Sequence, residues 1–242
     1  MARGLLSGAG TVMSIALSHR GNLQGPNPSV ENRIPALRAA LDAGCGIETD
    51  LRRADDGRFY LSYDEQASPE GMLAEDGFAI FRAYPHATIA LNIREPGGES
   101  ALLDFLESQD VLPQMFLMGM ELIEATPGST ARRFRALHKT VRLAARASER
   151  GESIDRALAL DVASVIWIDE FERPWCTRQD VQRLKQAGRA VYAVSPDLHG
   201  ASLKATYTRW RDFLRWGVDG ICTDQAAALG RLLRALDQDT AA

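Results

Sequence analysis

Cysteine is scarce in this 242-residue chain, long apolar runs are missing, and neither sign of charge dominates. The three cysteines, Cys45, Cys176 and Cys222, are an odd number with no C-x-x-C spacing. That argues against a disulfide framework or a thiolate metal centre and fits a reducing cytoplasm. No uninterrupted stretch of about 18 apolar residues occurs, so no membrane span is expected. Residues 5–17 are apolar, but only Arg3 precedes them and they run directly into His19, so the stretch reads as fold rather than signal peptide. A net charge of −4 with scattered arginines argues against a nucleic-acid surface. A Gly-rich dinucleotide fingerprint is also missing after the first apolar run.

What is present is enough apolar sequence, 45% of the residues, for one large domain, and nothing in the composition marks a second. The stretch Ser18-His19-Arg20-Gly21 ends a short apolar run at 12–17 that reads as a buried parallel strand. A helix follows over 34–42, with Asn32 as its expected N-cap and Gly44 as its stop. The second strand, 46–51, carries Glu48 and Asp50 on one face, because side chains two apart on a strand point the same way. Asp56-Gly57 marks a turn, and 58–63 alternates as the returning arm of a small hairpin. Residues 66–83 are poorly patterned, with Ser68-Pro69-Glu70 a weak helix start.

From residue 88 the alternation is regular. Further strands are expected at 89–93, 115–120, 141–145, 165–168, 190–194 and 220–223, separated by helical stretches that include 154–160, 203–216 and 226–236. Thr177 is the expected cap of another, stopped by Gly188. Eight strands alternating with helices or long loops at this length predict a single α/β domain, a (β/α)8 TIM-type barrel with a hairpin extension after strand 2. Nothing in the pattern specifies an oligomer.

Barrel chemistry sits at the C-terminal strand ends, where His19, Glu48, Asp50, Asn92, Arg94, Asp169, Asp197, His199 and Asp224 all fall. His86 and His138 precede strands and read as structural. Two carboxylates on one face of a buried strand repel and are costly to desolvate unless a cation or an arginine lies between them. Glu48 and Asp50 therefore read as a grip for a hard cation or for substrate, with His19 handling a proton. Arg94 reads either as their counter-ion or as a forked donor to a phosphate oxygen. Asp169, Asp197 and Asp224 read as loop-starting or helix-capping residues, and the four tryptophans and Met115, Met118 and Met120 as packing.

His19-Arg20-Gly21, Glu31-Asn32, Gly46-Ile47-Glu48-Thr49-Asp50 and Asp56-Gly57 resemble the N-terminal signature of the glycerophosphodiester phosphodiesterases. That superfamily also holds phosphatidylinositol-specific phospholipases C and spider-venom sphingomyelinases D. Later stretches, including Ala90-Leu91-Asn92-Ile93-Arg94 and Val194-Ser195-Pro196-Asp197-Leu198-His199-Gly200, look like a compact bacterial branch of it. The resemblance implies a barrel that binds Mg2+ or Ca2+ and cleaves a small phosphodiester, a glycerophosphodiester or a phospholipid-derived one. It places His19 as the first catalytic histidine, Glu48, Asp50 and Asn92 at the metal, and Arg20, Arg94 and His199 at the substrate. Two positions depart from the family pattern. Tyr63, before Asp64, stands where a second catalytic histidine is usual, and Asn92 offers a neutral carbonyl oxygen where a third carboxylate is usual.

Three readings follow. The first is a metal-dependent phosphodiester hydrolase with His19 as acid/base and Tyr63 as its partner. In the second, the barrel keeps phosphoester or metal binding and has lost efficient turnover. The third is a sugar-directed lyase or hydrolase using Glu48 and Asp50 without a metal.

Overall fold

The computed structural model describes residues 14–67 and 72–241. Apolar side chains alternate along its strands between two buried layers. One layer lies inside a ring of strands, where Leu17, Ala90, Phe116, Val165, Trp167, Tyr192 and Cys222 pack together. The other lies between the strands and an outer sleeve of helices, and includes Ala16, Ile47, Leu91, Leu117, Ile166, Ala193 and Ile221. Neighbours in sequence thus face opposite sides, as the period-2 geometry of a strand requires.

The elements run β1 Ile15–His19, α1 Ile34–Asp42, β2 Gly46–Arg53, β3 Phe59–Leu61, α2 Ala74–Arg82, β4 Ile89–Ile93, α3 Glu99–Ser108 and β5 Met115–Met118. They continue as α4 Ser129–Leu137, β6 Ala144–Ser148, α5 Ile154–Ala159, β7 Val165–Asp169, α6 Arg178–Gln186, β8 Ala190–Val194, α7 Leu203–Trp216, β9 Gly220–Thr223 and α8 Ala226–Ala241. Eight strands pair in parallel in the order β5-β4-β2-β1-β9-β8-β7-β6, and β3 pairs antiparallel with β2. The ring closes between β5 and β6 through a parallel bridge from Leu117 to Leu143. This is the (β/α)8 barrel with its hairpin. Among the described residues no helix is long and apolar enough to cross a membrane.

Several expectations are corrected in detail. Ser68-Pro69-Glu70 and the start of the first strand at 12–13 lie outside the described residues. The poorly patterned stretch after them holds a full helix, α2, with Phe78 and Phe81 buried. Gly77 hides that helix from propensity; a Cβ there would stand 2.6 Å from Leu61 Cδ1, so a larger residue would have to displace that buried side chain where α2 meets β3. The strand expected at 141–145 is instead β6, which begins where Ala144 comes into register with Val165. Its second half is disguised by Arg146 and Ser148, whose polar atoms are taken up by Glu152. The expected strand 115–120 stops at Met118, because Gly119 turns left-handed at φ +83°.

Asn32 does not cap α1; Arg33 holds that position. The Asn32 backbone is left-handed, at φ +58°, and its side chain turns inward to accept from Thr49 Oγ1 at 2.7 Å and donate to Asp50 Oδ2 at 3.2 Å. Thr177 does cap α6, in a reciprocal capping box with Asp180.

Candidate active site

The strand phase that fills the barrel with apolar side chains places polar ones at its C-terminal mouth. Two residues beyond Leu17 comes His19, two beyond Ala90 comes Asn92, two beyond Trp167 comes Asp169, and two beyond Cys222 comes Asp224. The first three line a pocket of about 300 Å3, together with Arg20, Glu48, Tyr63, Arg94, Glu121 and His199.

His19 is gripped from below and beside. Its Nδ1 lies 2.7 Å from Asp224 Oδ1, and that oxygen also accepts from Asn22 Nδ2 at 2.8 Å. The other ring nitrogen, Nε2, lies 3.9 Å from Glu48 Oε2. Burial alone pulls the imidazolium down, but the hydrogen bond to Asp224 and the charges of Glu48 and Asp224 outweigh it and hold His19 above its ordinary value. The same contact draws Asp224 down against its own burial. Reading Asp224 as a helix cap is therefore corrected: its carboxylate orients the histidine.

Arg20 follows in a left-handed conformation, φ +53°, with its N–H donating to Glu48 O at 2.8 Å. That bend swings the guanidinium over β2. Nη1 donates to Glu31 at 3.0 Å, and Nε lies 2.9 Å from Asp50 Oδ2. Asp50 is fully buried and also accepts from Asn92 Nδ2 at 2.9 Å through Oδ1. Arg20 is thus the positive group between the two strand carboxylates that their burial calls for. Glu48 is less well served. Desolvation first, and the Asp50 charge second, push its carboxyl up to about 7, and its Oε2 is buried with no hydrogen-bond partner among the described residues.

The family-derived ligand set can be tested on these atoms. Glu48 Oε2 and Asn92 Oδ1 are both buried and without a partner, and both are the hard oxygen donors that Mg2+ or Ca2+ prefers. Among the described residues no three His, Cys, Asp or Glu side chains come together as a metal site, so a cation here needs the neutral Asn92 oxygen. The donor set fits on those terms, with Asp50 already engaged by Arg20, Asn32 and Asn92. Gly119 belongs to the same corner. A Cβ there would stand 1.9 Å from Asn92 Oδ1. Gly119→Ala, strained as well by the positive φ, is expected to cost about 1–3 kcal/mol and to lower Tm in a thermal melt by several degrees.

Arg94 forms no ion pair with Glu48 or Asp50 among the described residues. Its guanidinium carbon lies 4.3 Å from the Tyr63 ring centroid, and that of Arg20 lies 4.0 Å from the same ring. Tyr63 is 42% exposed and serves both guanidiniums as an aromatic rest. Among the described residues Arg94 Nε is buried without a partner, leaving that donor unused.

On another side of the mouth His199 Nε2 lies 2.7 Å from Asp169 Oδ1, so Asp169 is not merely a loop starter. Asp197 does brace the loop, accepting from Thr223 Oγ1 and the Asp224 N–H. Glu121 was not singled out from sequence. Burial raises its carboxyl; one oxygen accepts from the Arg146 N–H at 2.7 Å and the other has no partner. Its place just after β5 was the available signal. His138 pairs with Glu107 at 3.0 Å away from the mouth, as its position before a strand suggested.

Neither a family model nor a curated protein matches this chain. Solved structures do. A glycerophosphodiester phosphodiesterase from Agrobacterium tumefaciens str. C58 shares 19% identity over 92% of this chain and 100% of its own, with a TM-score of 0.65. A glycerophosphoryl diester phosphodiesterase from Parabacteroides distasonis shares 16% over 93% and 88%, with a TM-score of 0.69. An Oleispira antarctica phosphodiesterase, in complex with the product sn-glycerol-3-phosphate, shares 16% over 93% and 97%, with a TM-score of 0.63. At these identities the likeness is one of fold: nearly the whole chain is the barrel that these phosphodiesterases also have.

Proposed function

We propose that this barrel is a phosphodiester hydrolase of the glycerophosphodiester phosphodiesterase kind, taking a glycerophosphodiester or a phospholipid-derived diester. The observation that carries the reading is the His19–Asp224 pair facing a pocket that also holds the unused donor of Arg94 and the guanidinium of Arg20. A phosphate diester is an anion that needs forked donors for its non-bridging oxygens and a proton for its leaving alkoxide. Arg20 and Arg94, held in place by the Tyr63 ring, bind the oxygens. His19, raised above its ordinary value by Asp224 and Glu48, donates from Nε2 as the bond from phosphorus to the leaving oxygen breaks. Glu48, Asp50 and Asn92 would hold Mg2+ or Ca2+, which when bound supplies positive charge against the phosphate. Three free, buried cysteines suit a reducing, cytoplasmic setting.

Titration of the purified protein with sn-glycerol 3-phosphate in a calorimeter tests the reading. One-to-one binding is expected, strengthened by Mg2+ or Ca2+ and weakened about tenfold or more in Arg94→Ala, as for a lost charge-assisted hydrogen bond. Absence of binding with and without cation would contradict it. One observation favours a binding barrel without turnover: the residue in the second-histidine position, Tyr63, has its ring engaged by two guanidiniums. In that case the product binds and no diester is cleaved.

A further inference from the structure

A second imidazole in the pocket is held by a carboxylate as His19 is. His199 ends a short turn, Pro196–His199, after β8, and leans over the end of β7, where Asp169 Oδ1 lies 2.7 Å from its Nε2. In the ring order β1-β9-β8-β7, that carboxylate is three strands round from His19. The Phe171 ring packs against the imidazole at 4.9 Å, with the Arg146 and Arg150 guanidiniums on that ring at 5.2 and 4.0 Å. The charged groups around His199 are therefore Asp169, those two arginines and, on its own turn, Asp197. A carboxylate only accepts, so the pairing fixes the proton on Nε2 and leaves the Nδ1 lone pair as the free basic atom.

Displacement at phosphorus needs two proton transfers, one to the leaving oxygen and one from the entering oxygen. His19 provides for the first. Tyr63, half-exposed and stacked on two guanidiniums, has no carboxylate among the described residues to orient its hydroxyl. We infer that His199, positioned by Asp169, is the base that accepts the proton of the attacking water, so that the chain replaces the second histidine of the hairpin with one after β8. The inference rests on the phosphodiesterase reading. In the step, a water oxygen bonds to phosphorus as His199 Nδ1 takes one of its protons. The bond from phosphorus to the leaving oxygen breaks, and His19 Nε2 protonates that oxygen. The products are a phosphomonoester and an alcohol, and exchange with solvent restores both histidines.

The test compares wild type, His199→Gln, Asp169→Asn and His19→Gln on glycerophosphocholine and on bis-p-nitrophenyl phosphate, whose leaving group needs no proton. His199→Gln is expected to lose about 100-fold or more in kcat on both esters. Its affinity for sn-glycerol 3-phosphate should stay within about threefold. Asp169→Asn should fall between it and wild type. His19→Gln should be impaired chiefly on glycerophosphocholine. Retention of kcat by His199→Gln, or a change in KM alone, would overturn the inference while leaving the phosphodiesterase reading intact. A wild type that cleaves neither ester would overturn that reading and this inference together.

Discussion

His19→Gln is expected to lower turnover of a glycerophosphodiester by about 10^2- to 10^4-fold, the contribution of a well-placed proton donor, with the folded state retained. The side chain is only 16% exposed, but glutamine can keep a hydrogen bond to Asp224, so the loss falls on chemistry rather than on packing. The pH profile carries the sharper signature. Activity needs the imidazolium, so the alkaline limb of wild type should lie above the ordinary histidine range, following the raised value set by Asp224 and Glu48. In Asp224→Asn the largest remaining influence on His19 is burial, which acts downward. The alkaline limb should therefore move to lower pH as kcat falls. An unchanged limb in that variant, measured from pH–rate curves, would remove Asp224 from its assigned role.

Glu48→Gln is expected to stabilise the cation-free protein while abolishing any stabilisation by Mg2+ or Ca2+. Folding raises this carboxyl from 4.5 to about 7, so the folded state holds the proton more tightly than the unfolded chain. The penalty is absent below the unfolded value, grows as pH rises through that window, and persists above it. At 1.36 kcal/mol per unit it amounts to as much as about 3 kcal/mol at alkaline pH. His19 acts in the same sense, since its contribution is present at low pH and fades as pH rises through its raised value. Wild type without a cation should therefore melt at lower temperature at pH 8 than at pH 5, and the variant should show a shallower slope. Divalent cation should raise the Tm of wild type most at the alkaline end, where Glu48 is ionised, and that of the variant little. Equal slopes for the two proteins would show that Glu48 does not hold the buried charge assigned to it.

The barrel was legible because its strands are short apolar runs spaced by helices, and because strand parity converts position into direction. Knowing that Leu17 faces inward fixes His19, and the same counting fixes Glu48, Asp50 and Asn92. Helix α2 was illegible because Gly77 answers to a contact with Leu61 in another element. Strand β6 was misplaced because Arg146 and Ser148 have the polarity of a loop until Glu152 is seen beside them. In the site, the family motif pointed to His19, Arg20, Glu48 and Asp50, but the partners that tune them lie far along the chain. Asp224 is 205 residues from His19, and His199 is 30 from Asp169. Asn32 and Asp224 resembled caps because the short polar side chains that suit a helix start also suit a buried hydrogen-bond network. Only their placement in the fold separates the two uses.

The most direct measurement of the central claim is a phosphorus NMR time course of glycerophosphocholine with the purified wild-type protein and Mg2+ or Ca2+. The expected result is loss of the diester resonance and growth of the sn-glycerol 3-phosphate monoester, catalytic in protein and slowed about 100-fold or more in His19→Gln. A diester resonance that persists unchanged with either cation would contradict the assignment of this barrel as a phosphodiesterase.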